Sequence, residues 1–281
     1  MEQAPIEEIT PRLEIIPLAS LIEHERHDEQ RTPPLISRMQ ATGVLRNPPI
    51  ATPLGDSSQR YMILDGANRL AALRKLDYSE AVVQVVYPED QGLRLYNWNH
   101  VLWDYDEAQL LSRIEQLEKI YLLASNSLLP DLGASCDLAI IQGASGNLFS
   151  ICTEATSLNR RVELLNAIVD VYKDRAKLDR TNEWSVVRLK AIFPNLCGLV
   201  IFPHFKIGQL LELTSRGCLL PTGITRFVIS PRVLHLNYPL DHLAAKLPIE
   251  EKNEALQRFI QERIAAKGVR YYGEATFLFD E

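Results

Sequence analysis

Residues 60–76 read RYMILDGANRLAALRKL, and this stretch decides the fold expected for the first third of the chain. Arg60 to Leu64 form a short, mostly apolar run, which predicts a buried strand that stops at the turn-forming pair Asp65-Gly66. From Asn68 onward leucines recur three residues apart, which indicates a helix. A second apolar run, Ala81 to Tyr87, predicts the next strand. The stretch therefore predicts a strand, a sharp turn and a helix in immediate succession.

The turn itself has two interpretations. The first N–H groups of a helix have no partner within the helix, and its positive end favours an anion. Arg69 adds a fixed positive charge, and Asp65 lies beside it, so the segment is consistent with a phosphate-binding turn. An ordinary strand-to-helix connection with a solvent-facing Arg69 explains the same residues. From this segment alone, the ordinary connection is favoured.

The composition limits the class of protein. With 281 residues and 46% hydrophobic side chains, the chain can bury one large core or two modest ones. No apolar run approaches the ~20 residues of a membrane span, and residues 1–12 lack the basic and apolar parts of a signal peptide. We therefore expect a cytoplasmic protein that does not associate with a membrane. A net charge of −6 argues against a surface built mainly for nucleic acid.

Cysteine spacing gives little support to a metal site. The four cysteines are far apart and show no CxxC pairing, which favours buried free thiols. They are Cys136, Cys152, Cys197 and Cys218.

Strands and helices alternate without the strict spacing of a doubly wound sheet, so the expected fold class is α+β. Two domains are predicted, 1–95 and 96–281, because the character of the sequence changes after Tyr96. The remaining predicted elements are an edge strand within 11–20, a helix at 35–42, a strand at 50–53, helices at 107–124, about 154–175, 206–215 and 249–267, and strands at 198–203, 225–230 and 271–279.

A combination of motifs at both ends of the chain resembles a known family. His24-Glu25 is followed by Asn47-Pro48 and by Asp65-Gly66-Ala67-Asn68-Arg69, and the second half contains Pro221-Thr222-Gly223-Ile224-Thr225-Arg226-Phe227. In this order the motifs resemble the ParB/sulfiredoxin-like superfamily, and within it the free L-serine kinases, including those of staphyloferrin-type siderophore biosynthesis. The middle, roughly 105–180, is matched poorly. The resemblance implies a ParB/sulfiredoxin-like first domain that binds phosphate and a second α/β domain that contributes the serine site.

The resemblance also implies a role for each matched residue. Glu25 would be the general base that takes the proton of the serine hydroxyl, and Asp65 would be the second essential carboxylate, orienting the hydroxyl or a Mg²⁺ ion. The phosphate- and nucleotide-binding residues would be Gly66, Ala67, Asn68 and Arg69. The serine-binding residues would be Trp98, His100, Thr225 and Arg226, with Arg226 pairing with the substrate carboxylate. The substrates would be free L-serine and a nucleotide, ATP or ADP with Mg²⁺, and the product O-phospho-L-serine.

One position departs from the family pattern. Where the kinases usually carry His, this chain has Asn68, which can cap a helix and bind a phosphate oxygen but cannot carry charge. If Asn68 abolished phosphate binding, a catalytically silent metabolite sensor would be favoured.

The superfamily also has members with other functions, so the fold alone does not decide among them. Sulfiredoxin chemistry is excluded, because it needs Cys in the turn and Ala67 stands there. The alternative function is a ParB-like nucleotide- or DNA-binding regulator without kinase activity, but the segment 105–180 contains no recognisable helix-turn-helix.

Overall fold

The computed structural model describes residues 11–26, 32–126 and 137–272. Its strands are β1 Arg12–Pro17, β2 Leu21–Ile22, β3 Val44–Leu45, β4 Ile50–Pro53, β5 Tyr61–Asp65, β6 Glu80–Val85, β7 Leu93–Asn97, β8 Asn99–Trp103, β9 Tyr121–Ala124, β10 Asp137–Gly143, β11 Leu148–Cys152, β12 Lys177–Thr181, β13 Leu196–Ile201, β14 Thr225–Ile229 and β15 Tyr238–Pro239. Its helices are α1 Thr32–Thr42, α2 Ala67–Lys75, α3 Glu107–Glu115, α4 Leu158–Tyr172, α5 Val186–Ile192, α6 Ile207–Ser215, α7 Leu240–Ala244 and α8 Ile249–Ala265. The mixture of helices and sheets confirms the α+β prediction.

The chain divides into two compact units that are not continuous in sequence. The first unit contains residues 1–22, 28–93 and 229–281, and the second contains 23–27 and 94–228. These units differ from the predicted domains 1–95 and 96–281. The C-terminal segment lies with the first unit because β15 pairs with β3 and α8 packs on β1. Such pairings between distant segments leave no local signal in the sequence.

The first unit is built on a five-stranded sheet with the order β1-β6-β4-β5-β2. β1 pairs antiparallel with β6, and β2 pairs parallel with β5. As predicted, β1 is an edge strand, and α8 covers it: the Asn253 side chain bonds both the N–H and the C=O of Ile15, at 2.8 and 3.2 Å. An edge closed in this way cannot pair with another chain there.

The second unit contains a six-stranded sheet with the order β12-β8-β13-β10-β11-β9, and a separate pair formed by β14 and β7. The central strand β13 is buried along its whole length. Leu199 and Ile201 of β13 pack with Val101 of β8 in one apolar cluster. Strand β8 of this sheet carries His100, one of the predicted serine-binding residues.

One predicted helix is too long. The helix predicted over 107–124 ends at Glu115, and Tyr121–Ala124 form a strand that pairs with β11. Lys119 has a left-handed backbone (φ 65°), which a continuing helix does not allow. The apolar residues of 121–124, which continued the helical pattern, instead form hydrogen bonds with strand β11.

Two further predictions concern the chain end and the cysteines. The predicted last strand, 271–279, lies outside the described residues except for Tyr271 and Tyr272, which are in no regular element. Among the described cysteines, Cys152 and Cys197 are buried free thiols and Cys218 is half-buried; Cys136 lies outside the described residues.

Candidate functional site

In the first unit, the turn after β5 depends on a glycine. Gly66 precedes α2 with a left-handed backbone (φ 98°). A Cβ at this position would lie 2.9 Å from the Cα of Pro49, so the turn has room for no side chain here. The Gly66 carbonyl accepts from the N–H groups of Arg69 and Leu70, at 2.9 and 3.0 Å, and starts the helix. The predicted strand, tight turn and helix are therefore all present.

Beside this turn, two guanidinium groups share one carboxylate oxygen. Arg69 Nη2 donates to Asp65 Oδ2 at 2.9 Å, and Arg232 Nη2 donates to the same oxygen. Arg69 also donates to the carbonyl of Asn47 at 3.1 Å, which ties the turn to the Asn47-Pro48 motif. Burial acts to raise the pKa of Asp65, but the two guanidinium groups outweigh burial and hold it below its ordinary value. Asp65 is therefore a carboxylate at neutral pH.

Asn68, the departure from the family pattern, lies in the first turn of α2. Its Oδ1 atom is buried and has no hydrogen-bond partner among the described residues. In this orientation Oδ1 can accept a hydrogen bond from a ligand. After a 180° rotation of the amide, Nδ2 takes the place of Oδ1 and can donate to a ligand.

In the second unit, the carboxylate of Glu25 is held by consecutive backbone N–H groups. Oε2 accepts from Gly223 N at 2.6 Å. Oε1 accepts from Ile224 N at 3.1 Å, from Thr225 N at 2.7 Å and from Thr225 Oγ1 at 2.5 Å. Because a carboxylate offers about four acceptor positions, Oε2 retains capacity for one more donor. The matched Thr-Arg segment and the matched His-Glu pair thus meet in space, although they are about 200 positions apart.

His24 contacts the Thr225 hydroxyl that donates to Glu25. Its Nε2 lies 2.7 Å from Thr225 Oγ1. Since that hydroxyl donates to Glu25, it accepts from His24, and Nε2 carries the proton. The His24 ring also packs edge-on against Phe227, at 5.4 Å between centroids. Both residues of the predicted His-Glu pair therefore contact the segment that begins β14.

His100 is fully buried and has partners at both ring nitrogens. Nδ1 lies 2.9 Å from the hydroxyl of Tyr172, and Nε2 lies 3.3 Å from the carbonyl of Gly223. Burial lowers the pKa of His100 to about 3, so the ring is neutral at physiological pH. Because no ring nitrogen remains for a ligand, the position suits a residue that holds the Gly223 peptide in place. Gly223 in turn donates to Glu25, so Tyr172, His100, Gly223 and Glu25 form one hydrogen-bonded chain.

Arg226 lies on the face of β14 opposite to Thr225 and Phe227, as the alternation of a strand requires. Its guanidinium stacks on Trp98 at 4.8 Å from the ring centroid and approaches Tyr96 at 5.9 Å. Within the described ranges, no carboxylate lies within 4.0 Å of it. Of the four predicted serine contacts, Arg226 lies with Trp98, Thr225 lies against Glu25, and His100 has both ring nitrogens occupied.

Sequence reasoning did not assign roles to three residues that complete these arrangements. Arg232 follows the matched segment 221–227 in the chain, and nothing in the sequence marked it as the second partner of Asp65. Gly223 had a usable signal, because a glycine two residues after a proline indicates a turn with a positive φ, observed here as 75°. Tyr172 gave no signal, since an aromatic residue at the end of an apolar helix face is usually part of a core.

A resident metal ion receives little support from the described residues. They contain no group of three or more His, Cys, Asp or Glu side chains that could hold one. A Mg²⁺ ion that arrives with nucleotide phosphates needs only one or two protein carboxylates, and Asp65 can supply an oxygen. No helix in the described part of the chain has both the length and the apolar character needed to cross a membrane.

No protein-family model matches the chain. The ATP-dependent L-serine kinase of Staphylothermus marinus is 28% identical over 94 residues, which are 34% of this chain and 36% of that relative. The ATP-dependent L-serine kinase SbnI of Staphylococcus aureus is 20% identical over 283 residues, covering 97% of this chain and 99% of SbnI.

Solved structures show the same likeness at the level of the fold. C-terminally truncated SbnI from Staphylococcus aureus superposes with a TM-score of 0.71 at 17% identity, covering 92% of this chain and 98% of that one. A glutamate-to-alanine variant of a free serine kinase has been solved with AMP (TM-score 0.70, 16% identity, 83% and 94% coverage). The same variant has been solved with ADP (TM-score 0.69, 17% identity, 86% and 100% coverage). The resemblance to the free L-serine kinases is thus confirmed, and this chain has their α+β fold.

Proposed function

We propose that this chain is a nucleotide-dependent kinase of free L-serine that forms O-phospho-L-serine. The observation that carries the proposal is the Glu25 carboxylate, which the 223–225 backbone fixes while leaving Oε2 able to accept one further hydrogen bond. Two relatives that match this chain are ATP-dependent L-serine kinases, and the free serine kinase structures hold AMP or ADP. The two kinases support the proposed activity, and the bound AMP and ADP support the use of a nucleotide.

In the proposed reaction, the serine hydroxyl donates to Glu25 Oε2. Glu25 takes the proton as the serine oxygen attacks the terminal phosphorus, and the bond from that phosphorus to the bridging oxygen breaks. The products are O-phospho-L-serine and a nucleotide shorter by one phosphate, ADP from ATP or AMP from ADP. Phosphoryl transfer of this kind needs a positioned hydroxyl, a base and positive groups on the phosphates, with little covalent chemistry by the protein.

The other residues would bind and orient the substrates. In the first unit, the turn formed by Gly66, Ala67, Asn68 and Arg69 would hold phosphate oxygens through backbone N–H groups and the guanidinium. Mg²⁺ would be held by phosphate oxygens with Asp65, where it would neutralise charge on the phosphates. In the second unit, Thr225 and His24 would orient Glu25, and His100 would hold the Gly223 peptide.

The activity is tested by incubating purified protein with L-serine, Mg²⁺ and either ATP or ADP, and measuring O-phosphoserine by mass spectrometry. We expect O-phosphoserine with at least one nucleotide and none without serine. Ethanolamine, which lacks the carboxylate, should be a poor substrate. Absence of product with both nucleotides, together with salt-sensitive binding to duplex DNA, would favour the regulatory alternative.

The first variant tests the serine carboxylate site. Replacing Arg226 by Ala should raise the KM for serine roughly 10- to 100-fold, because a charge-assisted hydrogen bond contributes about 1.5–3 kcal/mol. Nucleotide affinity should change little. Arg226→Lys is the matched control, since it keeps the charge but loses the planar guanidinium that stacks on Trp98 and should restore only part of the affinity. A normal KM in Arg226→Ala would place the serine carboxylate elsewhere.

The second variant tests the phosphate turn. Replacing Arg69 by Ala should weaken nucleotide binding by about 1.5–3 kcal/mol in a calorimetric titration, with a smaller effect on serine binding. Arg74→Ala is the matched control, because Arg74 belongs to the last turn of the same helix and donates to the carbonyl of Leu21 at 3.0 Å. Equal nucleotide affinities in the wild type and Arg69→Ala would remove Arg69 from the phosphate site.

A further inference from the structure

The two guanidinium groups on Asp65 are not equivalent. Arg69 is held at two points, by Asp65 and by the carbonyl of Asn47, and 16% of its side chain is exposed. Arg232 has Asp65 as its ion-pair partner, and 38% of its side chain is exposed. Arg69 is thus fixed within the turn, whereas Arg232 can change partner by rotating its side chain.

The charges at this point do not balance. Two guanidinium groups face one carboxylate, and both bond the same oxygen, Oδ2. Arg69 and Arg232 repel one another, an effect that adds to burial in lowering the pKa of Arg69. A second anion beside them would relieve this repulsion, because Arg pairs bidentately with phosphate as readily as with carboxylate.

The second anion would arrive beside the N-terminus of α2. The first N–H groups of that helix belong to this turn, and so does Asn68, whose buried Oδ1 has no partner among the described residues. A 180° rotation of the Asn68 amide puts Nδ2 in that place, where it can donate to a phosphate oxygen. A phosphate there would be within reach of Arg69, since Arg69 belongs to the first turn of the helix.

We infer that Asp65 stands in for a phosphate group in the unliganded protein, and that Arg232 is a further phosphate-binding residue that moves from Asp65 to the phosphate chain when nucleotide binds. The inference rests on the proposed function, because it assigns residues to the nucleotide phosphates of that kinase. It makes Arg232 a direct ligand and Asp65 a competitor for the same guanidinium groups. Asp65 is then released to serve the reaction only after phosphate has bound.

This competition predicts that replacing Arg232 and replacing Asp65, the two partners of one ion pair, change phosphate affinity in opposite directions. The measurement is calorimetric binding of inorganic tripolyphosphate to the full chain in EDTA, so that no Mg²⁺ can bridge Asp65 to the phosphates. Arg232→Ala should weaken binding at least about tenfold, since it removes a charge-assisted contact. Asp65→Asn should tighten binding at least several-fold, because it removes a negative charge beside the phosphate.

The matched controls come from a surface pair in the same unit. Arg12 and Asp90 form an exposed ion pair at 3.4 Å, with the Arg12 side chain 55% exposed. Arg12→Ala and Asp90→Asn should leave tripolyphosphate affinity unchanged, which separates a local effect from a change in net charge.

The outcomes distinguish this inference from the kinase proposal. Weaker tripolyphosphate binding in Asp65→Asn would overturn the competition, and unchanged binding in Arg232→Ala would remove Arg232 from the site. If Asp65→Asn does not fold, as judged by thermal unfolding, the Arg232→Ala titration still decides whether Arg232 binds phosphate. Absence of O-phosphoserine with normal tripolyphosphate results would overturn the kinase and leave the phosphate site in place.

Discussion

Replacing Glu25 by Gln is expected to lower serine phosphorylation by roughly 10²–10⁴-fold, the usual contribution of a general base. The protein should remain folded, because the amide oxygen of Gln can still accept from Ile224 N and Thr225 N. The amide nitrogen would instead face the N–H of Gly223, and this donor–donor contact should cost about 1–3 kcal/mol of stability. Turnover is measured as O-phosphoserine, and stability as the shift in Tm.

Glu107 provides a matched control for a carboxylate that only fastens a turn. In the same unit, its two oxygens accept from Ser145 N at 2.9 Å and from Ser145 Oγ at 2.7 Å. Glu107→Gln should lose a similar amount of stability and keep wild-type turnover. Near-normal turnover in Glu25→Gln would exclude Glu25 as the base. An equal loss of turnover in Glu25→Gln and Glu107→Gln would show that Glu25 has only a structural role.

Replacing Gly223 by Ala is expected to lower turnover by about 10²-fold, because it displaces the peptide that positions Glu25. Gly223 has a left-handed backbone (φ 75°), where a Cβ costs about 1–2 kcal/mol. The added Cβ would also lie 2.1 Å from the Cζ atom of Arg180, so the Arg180 guanidinium has to move away. The variant should therefore lose both stability and the alignment of the Glu25 carboxylate.

Gly217→Ala separates these two effects. Gly217 has nearly the same backbone conformation (φ 72°), and a Cβ there would meet no atom within 4 Å. We expect a similar loss of stability with wild-type turnover. Adding Arg180→Ala to Gly223→Ala should recover the part of the stability lost to the clash. Wild-type turnover in Gly223→Ala would show that the Gly223 peptide does not position the base.

The elements around the phosphate turn could be predicted from the sequence, because the signals that form them are local. An apolar run, an Asp-Gly pair and leucines three apart act within one or two turns of chain, and they correctly predicted β5, Gly66 and α2. The same local reasoning failed over 107–124. There, apolar residues that continue a helical pattern form an edge strand, because their partner β11 lies farther along the chain.

The candidate site shows the same division. The resemblance selected Glu25 and Thr225 separately, and it did not indicate how they contact one another. Only the tertiary structure brings the Glu25 carboxylate against Gly223 N, 198 positions away. It also decides that His100 is buried between Tyr172 and the Gly223 carbonyl, although neither of these partners is near His100 in the sequence.

By itself, the sequence determined the fold class, the turn at Asp65-Gly66 and the family resemblance, since each depends on residue types within short stretches and on the order of those stretches along the chain. The tertiary structure alone decided three other features: the second partner of Asp65, the donors to Glu25 and the return of the C-terminal segment to the first unit. The physical reason is the same in each case. A hydrogen bond or strand pairing between distant segments forms where packing brings donors and acceptors together, and no short stretch of sequence encodes that meeting.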